Sequence, residues 1–331
     1  MQQMQEQEDP KWQGLPKDYE NWWKLGFEHI SKSTFKAIKE VKAAQKGERI
    51  VFPTKFPRLN RQLMGGLTPG KLLIISGRPG SGKSMFSNQM IFDVLDLAAK
   101  ANRKVIVLYW SFEMPGSEQV IRSASKDTGL NMLDLYSIDK TLADRDLIRF
   151  TKAVYQYKKY PIYFQNTSKS ITFVQTRVHK IQELFPEYQI INLFDHSRLF
   201  DPEQEKSELE RLVNISHGCM KMQSETRCIN IILSQLNRNI EREHRAKQQY
   251  QPLLSDLFGS DSLGQDAQVV MMINRPYDMY GITDQYCGED PKNLLALHIE
   301  KNRTGQLGMI PFETNMKNFS IKERTSYQKV A

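Results

Sequence analysis

Short runs of aliphatic residues alternate with longer amphipathic stretches along most of the chain. Apolar runs of four to eight residues between turn signals are typical of strands in a sheet that is covered on both faces. The runs lie at residues 72–76, 104–110, 161–164, 189–194, 228–233, 269–274, 294–300 and 308–312. Helical periodicity covers residues 84–99, 117–160, 171–184 and 205–223. This order predicts an α/β fold with a mostly parallel central sheet flanked by helices, and a C-terminal antiparallel extension after the turn near Gly305.

The first part of the chain has a different pattern. A polar leader precedes a helical stretch at residues 17–46, and a turn-rich region containing Pro53 and Gly70 then leads into the first strand. We therefore expect an N-terminal helical segment at residues 1–48 and one domain at 49–325. The apolar side chains of the helix either pack on their own domain or dock on a neighbouring subunit. They are Trp22, Trp23, Leu25, Phe27, Ile30, Phe35, Ile38 and Val41.

Composition narrows the class of protein without naming a function. The 331 residues are 40% apolar and carry a net charge of +8, a bias that favours polyanionic partners such as nucleic acid. Three cysteines without regular spacing argue against a disulfide framework, and His217 beside Cys219 is interpreted as a coincidence rather than a metal site. No signal peptide or membrane-spanning run is expected. We expect a cytoplasmic protein, and its size is compatible with a cellular, viral or mobile-element source.

One glycine-rich loop carries the firmest chemical prediction. It follows the first apolar strand, precedes a helical pattern and has the spacing GxxxxGKS. This spacing lets backbone N–H groups and a helix N-terminus converge on one anion, as in a P-loop. Lys83 would then reach the β and γ phosphates of ATP, and Ser84 would bind Mg²⁺. The predicted ATP-binding residues are Gly77, Arg78, Pro79, Gly80, Ser81, Gly82, Lys83 and Ser84.

Acidic and amide side chains stand at the ends of three predicted strands. The carboxyl ends of parallel strands line the ligand crevice of an open sheet. Glu113 is thus placed to act on the water that attacks the γ phosphate, the alternative being a capping or surface glutamate. Asp195 ends an apolar strand and would hold Mg²⁺ directly or through water. Gln235 could sense the γ phosphate, whereas the polar Asn192 within its apolar strand has no explanation from the sequence.

Two groups of cations suggest contacts beyond the nucleotide. Arg238, Arg242, Arg245 and Lys247 follow the strand that ends at Gln235 and could grip DNA phosphates. A solvated face with internal ion pairs is the alternative, because glutamates lie among them. Lys301 and Arg303 stand at another strand end, where they are either simply solvated or reach the nucleotide of an adjacent subunit as an arginine finger does.

Taken together, these motifs resemble the C-terminal motor domain of the DnaB-type replicative helicases, a RecA-like family. The resemblance covers about residues 52–321. It rests on Pro69-Gly70, the P-loop, residues 111–114 (SFEM), Asp195, residues 233–238 (LSQLNR), 255–257 (SDL), 265–267 (QDA) and 301–305 (KNRTG).

The resemblance implies a ring, usually a hexamer, that encircles single-stranded DNA, with ATP sites at subunit boundaries. It assigns phosphate and Mg²⁺ binding to Lys83, Ser84 and Asp195, catalysis to Glu113, and a role in trans to Lys301 and Arg303. It also implies primase or loader proteins as partners.

Two departures from the family bear on these expectations. Where the family has a large N-terminal domain, we expect the residues before the motor and the motor surfaces to form the ring. Residues 258–261 (FGSD) replace the Arg and Glu that usually follow SDL in a DNA-contacting loop.

Three functions fit the sequence, in decreasing order of support. The first is an ATP-driven helicase or translocase acting on single-stranded or forked DNA. The second is a non-unwinding RecA-like ATPase, such as a recombination or loading factor. The third is an interaction module that holds nucleotide only as a structural ligand.

Overall fold

A computed structural model describes residues 26–139, 142–196, 200–258 and 260–324. The chain divides into two compact units at Ile50 and Val51. In the first unit, helix α1 (Ile30–Gln45) carries exposed apolar side chains, including Phe35 and Val41. The tryptophans and Leu25 of the predicted helical stretch lie outside the described residues. None of the helices in the described ranges is both long enough and apolar enough to cross a lipid bilayer.

A nine-stranded sheet forms the centre of the second unit. Its order is β3-β2-β4-β5-β1-β6-β7-β8-β9. Strands β1 to β6 run parallel, and β7 to β9 continue the sheet in antiparallel fashion. The strands are β1 (Leu72–Gly77), β2 (Val105–Ser111), β3 (Ile162–Gln165), β4 (Gln189–Asp195), β5 (Ile229–Gln235), β6 (Val269–Asn274), β7 (Leu294–Asn302), β8 (Gly308–Asn315) and β9 (Ser320–Glu323).

Helices cover both faces of the sheet, which is why its central strands are apolar on both sides. Leu73 and Ile75 of β1 belong to the core formed with Phe86 of α3, whereas Leu72 and Ile74 belong to the core formed with α7 and α8. The helices of this unit are α2 (Pro57–Gln62), α3 (Lys83–Lys100), α4 (Gly116–Thr128), α5 (Met132–Leu135), α6 (Asp144–Tyr157), α7 (Ile171–Leu184), α8 (Glu208–Thr226) and α9 (Pro276–Tyr280).

The predicted fold class is confirmed, including the antiparallel extension. Every predicted strand is present with its ends shifted by at most a few residues, and residues 171–184 form a helix as expected. The sequence missed β9, a four-residue strand whose single fully buried side chain is Ile321. Side-chain bonds support β9: the Gln89 amide of α3 both accepts from the Ile321 N–H and donates to its carbonyl oxygen.

The unexplained Asn192 belongs to a buried polar chain that crosses three strands. Its Nδ2 donates to Asn230 Oδ1 at 2.9 Å, and its Oδ1 accepts from Trp110 Nε1 at 3.2 Å. Asn230 in turn donates to the Cys219 carbonyl at 2.9 Å. A buried amide is tolerated when its donors and acceptors are paired, and this one is paired with its neighbours in the sheet.

Candidate active site

The loop after β1 has the backbone shape that its sequence predicts. It runs from Gly77, the last residue of β1, to the start of α3 at Lys83. Gly80 and Gly82 have φ values of 77° and 98°, in the left-handed region that favours glycine. A Cβ on Gly77 would overlap the Ser81 hydroxyl and lie 2.9 Å from the Ile273 carbonyl oxygen. The loop therefore packs tightly at Gly77 and leads into the N-terminus of α3. The unpaired N–H groups at that helix end favour binding of an anion.

Lys83 lies over this loop and is desolvated. Its Nζ donates to the carbonyl oxygens of Gly77 at 2.9 Å and Arg78 at 3.1 Å. Burial lowers the pKa of Lys83 from 10.5 to about 8, against the opposing charges of Asp195 and Glu113. An ammonium group held in partial burial gains strongly from a polyanion, because the pairing offsets its lost hydration.

Asp195 stands at the carboxyl end of β4, beside Ser111 of β2. Its side chain is buried, and its Oδ2 has no hydrogen-bond partner within the described ranges. Burial raises the pKa of Asp195 from 3.8 to about 6, while a hydrogen bond from the Ser84 hydroxyl opposes that shift. A buried carboxylate with an unused oxygen next to a hydroxyl is a donor set that suits Mg²⁺.

The described residues contain no cluster of three or more His, Cys, Asp or Glu arranged to hold a metal. Mg²⁺ bound with a nucleotide needs no such cluster, because that ion commonly takes one or two protein ligands and completes its shell with phosphate oxygens and water. Ser84 and Asp195 are the residues that would hold it.

Glu113 lies two residues beyond the end of β2, at the same edge of the sheet. The Phe112 N–H donates to the Asp195 carbonyl oxygen at 3.0 Å, which fixes the start of this loop against β4. The Glu113 carboxylate is exposed to solvent, and its Oε2 lies 3.9 Å from Nε2 of the largely buried His196. Sequence reasoning missed His196, although its place directly after Asp195 was a usable signal.

Gln235 ends β5, the strand between β4 and β1, so along this edge of the sheet it lies between Asp195 and the loop. It pairs in register with Gly77, and the Leu236 N–H donates to the Gly77 carbonyl oxygen at 3.3 Å. The hydroxyl oxygens of Ser81 and Ser234 are buried nearby without a hydrogen-bond partner among the described residues. Such unpaired polar atoms beside a glycine-rich loop are what a site for a polar ligand requires.

A cleft of about 380 Å³ opens on the outer side of the loop. Two ion pairs face it: Arg78 Nε lies 2.7 Å from Glu241 Oε1, and Arg275 Nη2 lies 2.6 Å from Asp278 Oδ2. Arg275 also donates to the Gly80 carbonyl oxygen at 3.3 Å. Glu241 was not predicted, since its partner Arg78 is far away in the sequence. Arg275 was not predicted either, since its contact with the loop is at the distant Gly80. The cleft is lined by Arg78, Pro79, Gly80, Glu241, Arg275, Asp278 and Met279.

The basic segment, residues 238–248, consists of two 3-10 turns that follow β5 (Arg238–Glu241 and Glu243–Gln248). Arg238, Arg242 and Lys247 are exposed there. Arg245 is not: its guanidinium is buried and donates to both oxygens of Asp256, each at 2.9 Å. This corrects the expectation that Arg245 grips DNA, because its charge is committed to an internal partner.

Lys301 and Arg303 lie away from the loop of their own chain. Strand β7 runs antiparallel to β6, so Asn302 pairs with Val269 near the starting edge of β1. Leu297 pairs with Ile273 in the row of Gly77, and the five residue steps from Leu297 to Asn302 span roughly 16 Å at about 3.3 Å per residue. Lys301 Nζ donates to the carbonyl oxygens of Gly264 and Gln265, and Arg303 Nη2 donates to that of Gln265, each at 2.7 Å.

Comparison with known proteins agrees with this architecture. The family described as DnaB-like helicase C terminal domain matches residues 52–321. The replicative DNA helicase DnaB of Geobacillus stearothermophilus is 26% identical over 269 residues, which cover 80% of this chain and 54% of that protein. The probable replicative DNA helicase of Trieres chinensis is 27% identical over 268 residues, covering 78% and 54%. The chain spans about half the length of the curated relatives it matches.

Solved structures show the same fold at lower identity. One of them, described as an ATPase domain, is similar with a TM-score of 0.77 and 22% identity, over 89% of this chain and 98% of that one. A DnaB-like replicative helicase, solved in a study of its interactions with primase, has a TM-score of 0.75 and 22% identity, over 89% and 67%. The fold is therefore that of RecA-like helicase ATPase domains.

Proposed function

This chain belongs to the family of DnaB-like helicase C-terminal domains, and on that premise we propose that it is an ATP-driven DNA motor that acts on single-stranded DNA during replication. The observation that carries the proposal is the convergence of four strand ends. The loop after β1, Glu113 after β2, Asp195 of β4 and Gln235 of β5 meet at one edge of the sheet. A site of this composition suits phosphoryl transfer from ATP to water.

Each residue has a role that follows from its position. The loop from Gly77 to Gly82 and the N-terminus of α3 would hold the phosphates, with Lys83 on the β and γ groups. Ser84 and Asp195 would bind Mg²⁺, which neutralises charge on the phosphate oxygens when bound. Glu113 is the exposed carboxylate at this edge and would orient the attacking water.

Burial strengthens the electrostatic effect that the charges of Lys83 and Asp195 would have on a bound nucleotide. Lys83 and Asp195 both have pKa values shifted toward the neutral form by desolvation. A charge with few water molecules around it interacts more strongly with the charge that develops on the γ phosphate. The same burial makes both groups costly without a ligand, as expected of a preorganised site rather than a structural one.

We propose that Lys301 and Arg303 act on the nucleotide of a neighbouring copy in a homo-hexamer. Their position at the opposite end of the strands keeps them from the loop of their own chain. The carbonyl oxygens of residues 264 and 265 hold both side chains at the surface. The exposed apolar side chains of α1 support assembly, since a second copy would cover them.

The basic segment is the proposed DNA contact. Arg238, Arg242 and Lys247 are exposed, and none of them has an ion pair within the described ranges. They would contact phosphates, which gives affinity that falls with salt but little sequence preference. In the stretch 258–261, which replaces the family's Arg and Glu after SDL, Gly259 lies outside the described residues. Primase or a loader protein is a further proposed partner.

Strand displacement from a forked duplex tests the proposal and separates it from a non-unwinding ATPase. We expect ATP-dependent displacement by the wild-type protein and none by Glu113→Gln, which should still bind nucleotide. DNA-stimulated hydrolysis without displacement would favour the recombination or loading factor. Absence of hydrolysis at any DNA concentration would leave only an interaction module.

Mixing of subunits tests the shared site. Glu113→Gln and Arg303→Ala should each be inactive alone, because each lacks one half of every site. In a mixture, some boundaries join an intact Glu113 to an intact Arg303, and hydrolysis should partly return. A mixture as inactive as its components would refute action in trans.

A further inference from the structure

We propose that the Arg78–Glu241 ion pair couples occupancy of the P-loop to the DNA affinity of the basic segment. Arg78 belongs to the loop itself, whereas Glu241 lies 163 residues later, within the basic segment. The inference rests on the proposed function, since it needs both a nucleotide and a DNA ligand. It assigns a positioning role to Glu241, which has no direct contact with either ligand in the proposed function.

The pair is a direct link between two sites. Arg78 Nε donates to Glu241 Oε1 at 2.7 Å, and Arg78 Nη1 donates to the Leu236 carbonyl oxygen at 2.9 Å. One guanidinium therefore holds both the end of β5 and the first 3-10 turn of the basic segment. Charge-assisted bonds with this fixed fork geometry transmit orientation as well as attraction.

The loop backbone and this side chain move together because they belong to the same short turn. The carbonyl of Arg78 accepts from Lys83 Nζ, and the carbonyl of Gly80 accepts from Arg275. A phosphate that draws Lys83 toward itself changes the first of these bonds. The side chain of Arg78 then carries that change out of the loop to Glu241.

The basic segment is anchored differently at its two ends. At the far end, Arg245 and Asp256 form a pair whose side chains are only 7% and 2% exposed, so this end is fixed. At the near end, the Arg78 side chain is 14% exposed and that of Glu241 is 42% exposed. A pair that water can reach breaks and re-forms more easily than a buried one. The exposed Arg242 lies between these two attachments, and the exposed Arg238 lies three residues before Glu241.

The measurement is the affinity for a fluorescent oligo-dT, by anisotropy, with and without a slowly hydrolysed ATP analogue and Mg²⁺. Couplings between two ligands are typically about 5- to 150-fold, and each ligand changes the affinity for the other by the same factor. We expect Glu241→Gln to bring this factor to within about twofold of one. Reciprocal titration of a fluorescent nucleotide with and without DNA should give the same loss.

Glu243→Gln is the matched control. Glu243 is exposed in the same segment, and its side chain has no ion pair or hydrogen bond among the described residues. Its substitution makes the same change of charge near the DNA, so any general gain in affinity appears in both variants. We expect Glu243→Gln to keep the wild-type coupling factor.

A double-mutant cycle tests whether Glu241 acts through Arg78. If the pair is the link, Arg78→Gln alone should lose the coupling to the same extent as Glu241→Gln, and the double variant should match either single variant. Equal coupling in Glu241→Gln and Glu243→Gln would overturn the proposal. So would a wild-type factor of one with both ligands bound, although the proposed function would then stand. Failure of the wild-type protein to bind nucleotide or DNA would refute both the coupling and the proposed function.

Discussion

Arg245→Met should destabilise the protein while leaving its affinity for DNA unchanged. Arg245 belongs to a basic segment and resembles a DNA contact in the sequence, yet its guanidinium is buried against Asp256. It also donates to the Gln251 carbonyl oxygen. The side chain therefore holds the segment to the domain instead of facing a ligand.

The magnitude follows from what the substitution leaves behind. Without Arg245, Asp256 stays almost fully buried and keeps the bond that it accepts from the Leu253 N–H at 2.8 Å. Removing one partner of a buried ion pair costs about 3–5 kcal/mol, because the remaining charge is uncompensated. At roughly 2 °C per kcal/mol for a domain of this size, the melting temperature should fall by about 6–10 °C.

Thermal and urea denaturation measure this loss, and anisotropy with oligo-dT measures DNA binding. Arg242→Met is the matched control, since Arg242 is exposed in the same segment. We expect it to keep full stability and to weaken DNA binding. Replacing both partners, as in Arg245→Met with Asp256→Leu, should recover much of the stability. A loss below about 1 kcal/mol in Arg245→Met, or weakened DNA binding at full stability, would refute the reasoning.

Three other predictions concern the loop, its lysine and the buried amides. Gly77→Ala should reduce the affinity for a fluorescent nucleotide at least tenfold, because the new Cβ has no room beside Ser81 and Ile273. The control Gly129→Ala places its Cβ in open space and should leave the nucleotide affinity unchanged. Between pH 8 and 10.5 the unfolded chain holds a proton on Lys83 that the folded protein releases, so stability should rise with pH in this window by roughly 3 kcal/mol. Urea titrations should show that Lys83→Met removes this rise, and a persisting rise would contradict the assignment to Lys83. Asn192→Leu should cost about 1–3 kcal/mol in urea denaturation, because Trp110 and Asn230 lose their partner, whereas a neutral result would mean that the polar chain adds no stability.

The fold followed from local patterns and the order of elements, and so did the grouping of strand ends at the candidate site. The strand, loop and helix around Lys83 are contiguous, and parallel topology then places Glu113, Asp195 and Gln235 at one edge. Only the order of elements was needed for that step.

The remaining features depend on partners that the sequence does not connect. The reason for Asn192 is Asn230 on the next strand, 38 residues later. Whether Arg245 faces solvent or Asp256 depends on how the segment folds back, which charge patterning does not reveal. The same holds for Glu241 and Arg78, where a surface glutamate and a loop arginine become a link only in three dimensions.

The most direct test of the central claim is the rate of ATP hydrolysis with and without single-stranded DNA. We predict hydrolysis that DNA stimulates, and a decrease of about 100-fold or more in Glu113→Gln with nucleotide binding retained. A hydrolysis rate that DNA does not change, or a wild-type rate of hydrolysis in Glu113→Gln, would contradict the central claim.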